Sequence, residues 1–237
     1  MQRSHEASLG LENAFPARLR GDVRQVIELV PYARLGPTAP FDVVVGGETL
    51  TLPYRIYNAE PDPAAVRSLT GRQRLIAHCL YSRHHDGRVR QRRLESLLDA
   101  AEPWVVPFVV QLAGEYVLEI VEDIGRGLSG LAVPGSVERR LYGEFITRNP
   151  AFYARTEARA VSYWDCYHRG RYPVFGRYPG SEPLEAFRSA ATEHHGARWP
   201  RNTPSPFAPA MPRRRRGRTH GPDQVCPSTP PRLADSF

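Results

Sequence analysis

The sequence predicts a mainly α fold, a multi-helix domain around a central apolar helix with one N-terminal β-hairpin. Three observations carry that expectation. The run from Pro103 to Ile124 is apolar on almost every side of a helical wheel, as expected of the central element of a core. Helix-start chemistry recurs along the chain, in Thr70-x-x-Gln73, Ser136 and Asn149-Pro150. One clear stretch, residues 41–57, alternates with the period of a strand, and it does so around a Gly-Gly pair.

Taken in order, residues 1–20 show no sustained period and read as a flexible arm. Val23, Val26, Ile27 and Val30 then recur at helical spacing until Pro31 stops them. In FDVVVGGETLTLPYRIY, a two-residue Gly46-Gly47 loop would pair Val45 with Glu48, Val43 with Leu50 and Phe41 with Leu52. Phe41, Val43, Leu50 and Leu52 then share one face, which must pack on something, because a lone hairpin is marginal in water.

After the proline-rich connector 58–68, the capping box at Thr70 opens a helix with Leu75, Ile76, Cys79 and Leu80 on one side. Gly87 is expected to end it in a left-handed conformation. A second helix carries Leu94, Leu97 and Leu98, so the two form a helical hairpin or a helix-turn-helix. The central helix is expected to run unbroken from about 103 to 123–125, with Gln111, Glu115, Glu119 and Glu122 as its polar stripe. Ser136 caps the next helix, an aromatic helix spans 150–168, and a short one covers about 184–192. A single domain over 21–190 is thus followed by a disordered tail, 191–237.

Charge supports that division. The net charge is +7, and residues 191–237 hold eight arginines against three acids, so a net of only two positive charges remains for residues 1–190. All 32 basic residues are arginine, which points to coding bias rather than to selection for phosphate contacts. Cys79, Cys166 and Cys226 are scattered and odd in number, arguing against a disulfide framework or a thiolate zinc site and for a reducing, cytoplasmic setting. The N-terminus lacks the apolar core of a secretory signal, and the most apolar run is too short to span a bilayer. No membrane partner is expected.

The candidate polar cluster is Arg83, His84, His85, Asp86, Arg90 and Glu115. Histidine beside aspartate could supply a general base and its orienting carboxylate. However, adjacent helical residues diverge by about 100°, so His84 and His85 cannot easily share a ligand site. The more economical reading is a helix end, with Asp86 capping the next helix. Arg88, Arg90, Arg92 and Arg93 could enter a DNA groove; alternatively they pair with Glu115, Glu119 and Glu122. Cys166 near His168 invites a nucleophile, but positions two apart on a helix face away from each other. Arg213–Arg216 is a short basic run of the kind that binds polyanions non-specifically.

No cofactor or metal motif stands out. The leading functional expectation is a non-catalytic helical protein-interaction or scaffolding module acting on a partner protein. The alternatives are a helix-turn-helix-like DNA-binding regulator, with nucleic acid the less favoured partner, and an enzyme built on His84, His85, Asp86 and Glu115.

Overall fold

The computed structural model describes residues 10–205, and the fold is mainly α with one two-stranded antiparallel hairpin. Its helices are α1 (Arg20–Glu28), α2 (Pro63–Ser68), α3 (Gly71–Tyr81), α4 (Gly87–Leu98), α5 (Val106–Leu112), α6 (Leu118–Gly127), α7 (Val137–Arg148), α8 (Pro150–Tyr163) and α9 (Ser181–His195). The strands are β1 (Phe41–Val45) and β2 (Glu48–Leu52). No helix among the described residues is long and apolar enough to cross a membrane.

The hairpin adopts the register that its alternation dictates, Phe41 opposite Leu52, Val43 opposite Leu50 and Val45 opposite Glu48. Gly46 and Gly47 supply φ values of +58° and +85° at the turn, a conformation that costs glycine little. Val43, Val45, Leu50 and Leu52 are buried, and Phe41 stacks on Phe152 of α8. Asn149 docks the edge of β1 that β2 leaves free. Its Oδ1 accepts from the Val44 N–H at 2.7 Å, and its Nδ2 donates to the Val44 carbonyl at 2.8 Å. Asn149 therefore precedes α8 without capping it through its side chain, while Pro150 occupies the first turn as expected.

The start of α3 follows the sequence closely. Thr70 Oγ1 accepts from the Gln73 N–H, and the Gln73 side chain accepts from the Thr70 N–H. Asp86 caps α4 through the Arg88 N–H at 2.8 Å, and Ser136 caps α7 through the Arg139 N–H at 3.1 Å. Gly87 departs from expectation. It is the first residue of α4 and does not adopt a positive φ, because α3 already ends at Tyr81 and residues 82–86 make the turn.

The expected central helix is two helices. Every residue of α5 is buried, so the core does centre there, but the helix stops at Leu112 and resumes at Leu118. Val117 is extended, with φ −77° and ψ 112°. Glycine is a poor helix-interior residue, at about 1 kcal/mol relative to alanine, and Gly114 sits at this joint. The break takes Glu115 off the polar stripe of the expected continuous helix and into the interior. Leu118 is consequently only half-buried, whereas Phe108 is fully buried. The aromatic helix is likewise interrupted, since residues Trp164–His168 wind as a π-helical turn.

Both domain boundaries move outward. Leu11, Ala14, Phe15 and Leu19 belong to the core, so the flexible arm expected over 1–20 does not extend to them. Phe15 stacks on Phe108 at 5.5 Å and meets Trp104 edge-on at 5.8 Å. At the other end, α9 continues to His195, and Trp199 packs against the His195 ring. Arg201 pairs with Glu185, and Asn202 Nδ2 donates to Glu157 at 2.7 Å. The periodicity rule missed this stretch because isolated side chains, not a repeating face, hold it. The rest of the arm and tail expectations, residues 1–9 and 206–237, lies outside the described residues. Ending the chain at Gly196 should therefore cost about 2 kcal/mol, lowering the unfolding midpoint by roughly 4–8 °C relative to a chain ending at Ser205. Coincident melts of the two would show that residues 197–205 contribute nothing.

Candidate functional site

Five segments meet around one buried carboxylate. The extended stretch after β2 is laced to the end of α3, the Ile56 N–H donating to the Arg83 carbonyl at 2.9 Å and the His85 N–H to the Ile56 carbonyl at 3.0 Å. This brings Arg55 and Arg83 together. The first turn of α4 adds Arg90, whose Nη1 donates to the His84 and His85 carbonyls at 2.9 and 2.8 Å. The joint between α5 and α6 delivers Glu115, and α8 adds Arg159, whose Nη2 donates to Gln111 Oε1 at 2.8 Å. Gly114 permits that last approach, since a Cβ there would lie 3.0 Å from the Arg159 guanidinium and from the Thr156 carbonyl.

Glu115 is the hub. Arg55 Nη2 donates to both of its oxygens at 2.8 and 2.9 Å, Arg90 Nη2 lies 3.3 Å from Oε2, and Arg83 Nη2 lies 3.7 Å from Oε1. Its side chain is 2% exposed, those of Arg83 and Arg90 are fully buried and that of Arg55 is 12% exposed. Arg159 is half-buried, so of the four arginines only Arg55 and Arg159 reach solvent. Burial alone would raise the Glu115 pKa, but Arg55, Arg90 and Arg83 outweigh it and hold the carboxyl below its ordinary value. Burial first, and then Arg55, push Arg83 well below the usual arginine value, with Glu115 opposing them. A guanidinium nevertheless binds its proton so tightly that Arg83 stays charged at neutral pH.

The arithmetic does not balance. Four guanidinium groups face one carboxylate, leaving three positive charges uncompensated within the cluster. Hydrogen bonding is unbalanced too: Arg83 Nε and Nη1, Arg90 Nε, Arg159 Nε and Gln111 Nε2 are buried and have no acceptor among the described residues. Native interiors leave few such groups unpaired, and each costs about 1–3 kcal/mol. Tyrosine rings offset part of the charge. The Tyr54 ring lies beneath Arg55 at 4.5 Å and within 6.0 Å of Arg83 and Arg159, and Tyr116 lies 5.9 Å from Arg90. Tyr163 lies beside Tyr54 and, with Tyr116 and Tyr167, forms a half-buried aromatic group on the solvent side.

The sequence cluster thus divides in two. Arg83, Arg90 and Glu115 come together. The His84 and His85 rings touch at 4.2 Å, tilted by 43°, and His84 Nδ1 accepts from the Asp86 N–H at 3.1 Å. The Asp86 carboxylate is engaged as the α4 cap, and Arg90 stands between both histidines and Glu115. Arg92 and Arg93 pair with Glu60 instead of Glu119 or Glu122, so with Arg90 buried the basic run is largely engaged internally. His168 Nε2 lies 2.9 Å from the Tyr116 carbonyl, and its ring stacks on Tyr178. Among the described residues no group of three or more His, Cys, Asp or Glu side chains is arranged to hold a metal ion. The Arg213–Arg216 run lies outside the described residues.

Sequence reasoning missed Arg55, Arg159, Gln111 and Tyr54. A signal was present for one of them: Gln111 stands four residues before Glu115 in an otherwise apolar run. No family model matches the chain, and neither a curated protein nor a solved structure is similar to it.

Proposed function

We propose that this domain is a non-catalytic binding module that recognises an anionic group at the arginine cluster. The observation that carries this reading is Arg83, fully buried with two of its three guanidinium nitrogens lacking an acceptor, in a cluster with a surplus of three positive charges. Arginine presents a rigid fork of N–H donors suited to phosphate and carboxylate oxygens. An anion held between Arg55 and Arg159 would offset charge that Glu115 alone leaves exposed to a low-dielectric interior. Recognition is favoured over acid–base catalysis because the guanidinium groups stay protonated at neutral pH and the one carboxylate is held ionised by them. The recognised feature is therefore an anion on a small molecule or on a partner, not a groove of DNA, since Arg90, Arg92 and Arg93 are engaged internally.

The test is thermal unfolding with inorganic phosphate at constant ionic strength, using the full chain with Arg213–Arg216 replaced by serine. Phosphate should raise the midpoint, by about 2.7 kcal/mol of stability at a hundredfold excess over Kd. Arg159→Gln should remove the effect, while Arg148→Gln, on an exposed face, should retain it. An equal response to chloride, or an undiminished response in Arg159→Gln, would overturn the reading.

A further inference from the structure

We infer that the anion is a phosphomonoester carried on a flat ring, a nucleoside monophosphate in chemical class. This rests on the anion reading and adds two observations to it. The first is the size of the imbalance. A monocarboxylate would neutralise one of three surplus charges and offers two oxygens to five unpartnered nitrogens, Arg83 Nε and Nη1, Arg90 Nε, Arg159 Nε and Gln111 Nε2. A phosphomonoester carries about −1.5 to −2 at neutral pH and presents three strongly accepting oxygens. Its charge and acceptor count match the cluster better than any single carboxylate.

The second observation is the aromatic group beside the exposed arginines. Arg159 and Tyr163 lie four residues apart on α8, and so on one face of it. Tyr163 also lies beside Tyr54, whose ring lies under Arg55, so it adjoins both arginines that reach solvent. Tyr163 in turn stacks near-parallel on Tyr167, with ring centroids 6.1 Å apart and an interplanar angle of 23°. Tyr116 meets Tyr163 edge-on at 5.7 Å. These rings are half-buried and not sealed into the core. A phosphate reaching the guanidinium groups between Arg55 and Arg159 must leave its ester oxygen pointing outward, toward these rings. A purine or pyrimidine on that ester meets a tyrosine surface on which it can stack. Arginine at the phosphate and tyrosine at the ring are the pairing that such a ligand requires.

The experiment is calorimetric titration of the full chain, with Arg213–Arg216 replaced by serine, by adenosine monophosphate, ribose 5-phosphate, inorganic phosphate and adenosine. Stacking on an aromatic side chain should make the nucleotide on the order of tenfold to a hundredfold tighter than ribose 5-phosphate. Adenosine, lacking the dianion, should not bind measurably. Tyr167→Ala, a change on the solvent side, should bring the nucleotide down toward ribose 5-phosphate while leaving ribose 5-phosphate unchanged; Tyr163→Ala with a retained cooperative melt provides the second variant. Equal affinities for the nucleotide and ribose 5-phosphate would overturn this inference and leave the anion reading standing. Failure of every phosphate to bind would overturn both.

Discussion

Replacing Glu115 by glutamine should destabilise the domain by about 3–5 kcal/mol, the cost of removing one partner from a buried ion pair. The substitution keeps the shape and removes the one negative charge that Arg55, Arg83 and Arg90 share. Four buried or half-buried guanidinium groups would then repel one another without a carboxylate between them. The pH dependence follows from the same geometry. The folded-state pKa of Glu115 lies below its ordinary 4.5, so the folded state binds fewer protons at this site than the unfolded chain does. Its contribution is fully present above that value and is lost as the pH falls through the depressed one. The wild type should thus lose stability below pH 4.5 more steeply than Glu115→Gln, as read from denaturant unfolding across that range. A loss under about 1 kcal/mol at pH 7 would place Glu115 outside the behaviour of a buried, paired charge.

Replacing Phe108 by alanine should cost about 3–5 kcal/mol, from lost apolar transfer and the cavity left behind. Phe108 sits in a helix whose every residue is buried, and Phe15 stacks against it from the N-terminal stretch. The matching substitution at Leu118 should cost distinctly less, because the joint at 113–117 leaves that side chain half-buried. Chevron or equilibrium unfolding of both variants checks the contrast. Equal losses would mean that the two helices bury their residues alike, contrary to the break between them.

Where short-range chemistry decides the outcome, the sequence was legible. The hairpin register followed from alternation and a Gly-Gly turn, and Thr70, Asp86 and Ser136 cap helices through bonds spanning two or three residues. The site was half legible. Arg83, Arg90 and Glu115 stood out as polar residues near apolar runs, but so did His84, His85 and Asp86, whose adjacency reflects a helix end. Arg55 and Arg159 reach the cluster through contacts between elements distant in sequence, which no local period can reveal. The pairing of Arg90 with Glu115 was among the sequence's expectations, but the depth of Glu115 was not. A helical wheel assumes an unbroken helix, and the joint between α5 and α6 takes Glu115 off the polar stripe and into the core. The boundaries failed in a similar way, since Phe15, Trp199 and Arg201 hold their segments by individual side-chain contacts and not by a repeating face.

The central claim, that the buried guanidinium groups accept an anion, is tested most directly at their own N–H groups. Arginine Nε–H resonances of the full chain can be followed by heteronuclear NMR during a phosphate titration at constant ionic strength, with assignments made from single arginine substitutions. The account predicts that the Nε–H signals of Arg83, Arg90 and Arg159 shift together with one dissociation constant, and that chloride leaves them in place. Saturating phosphate that moves only the arginines of the 213–216 run, with those three signals unchanged, would contradict it.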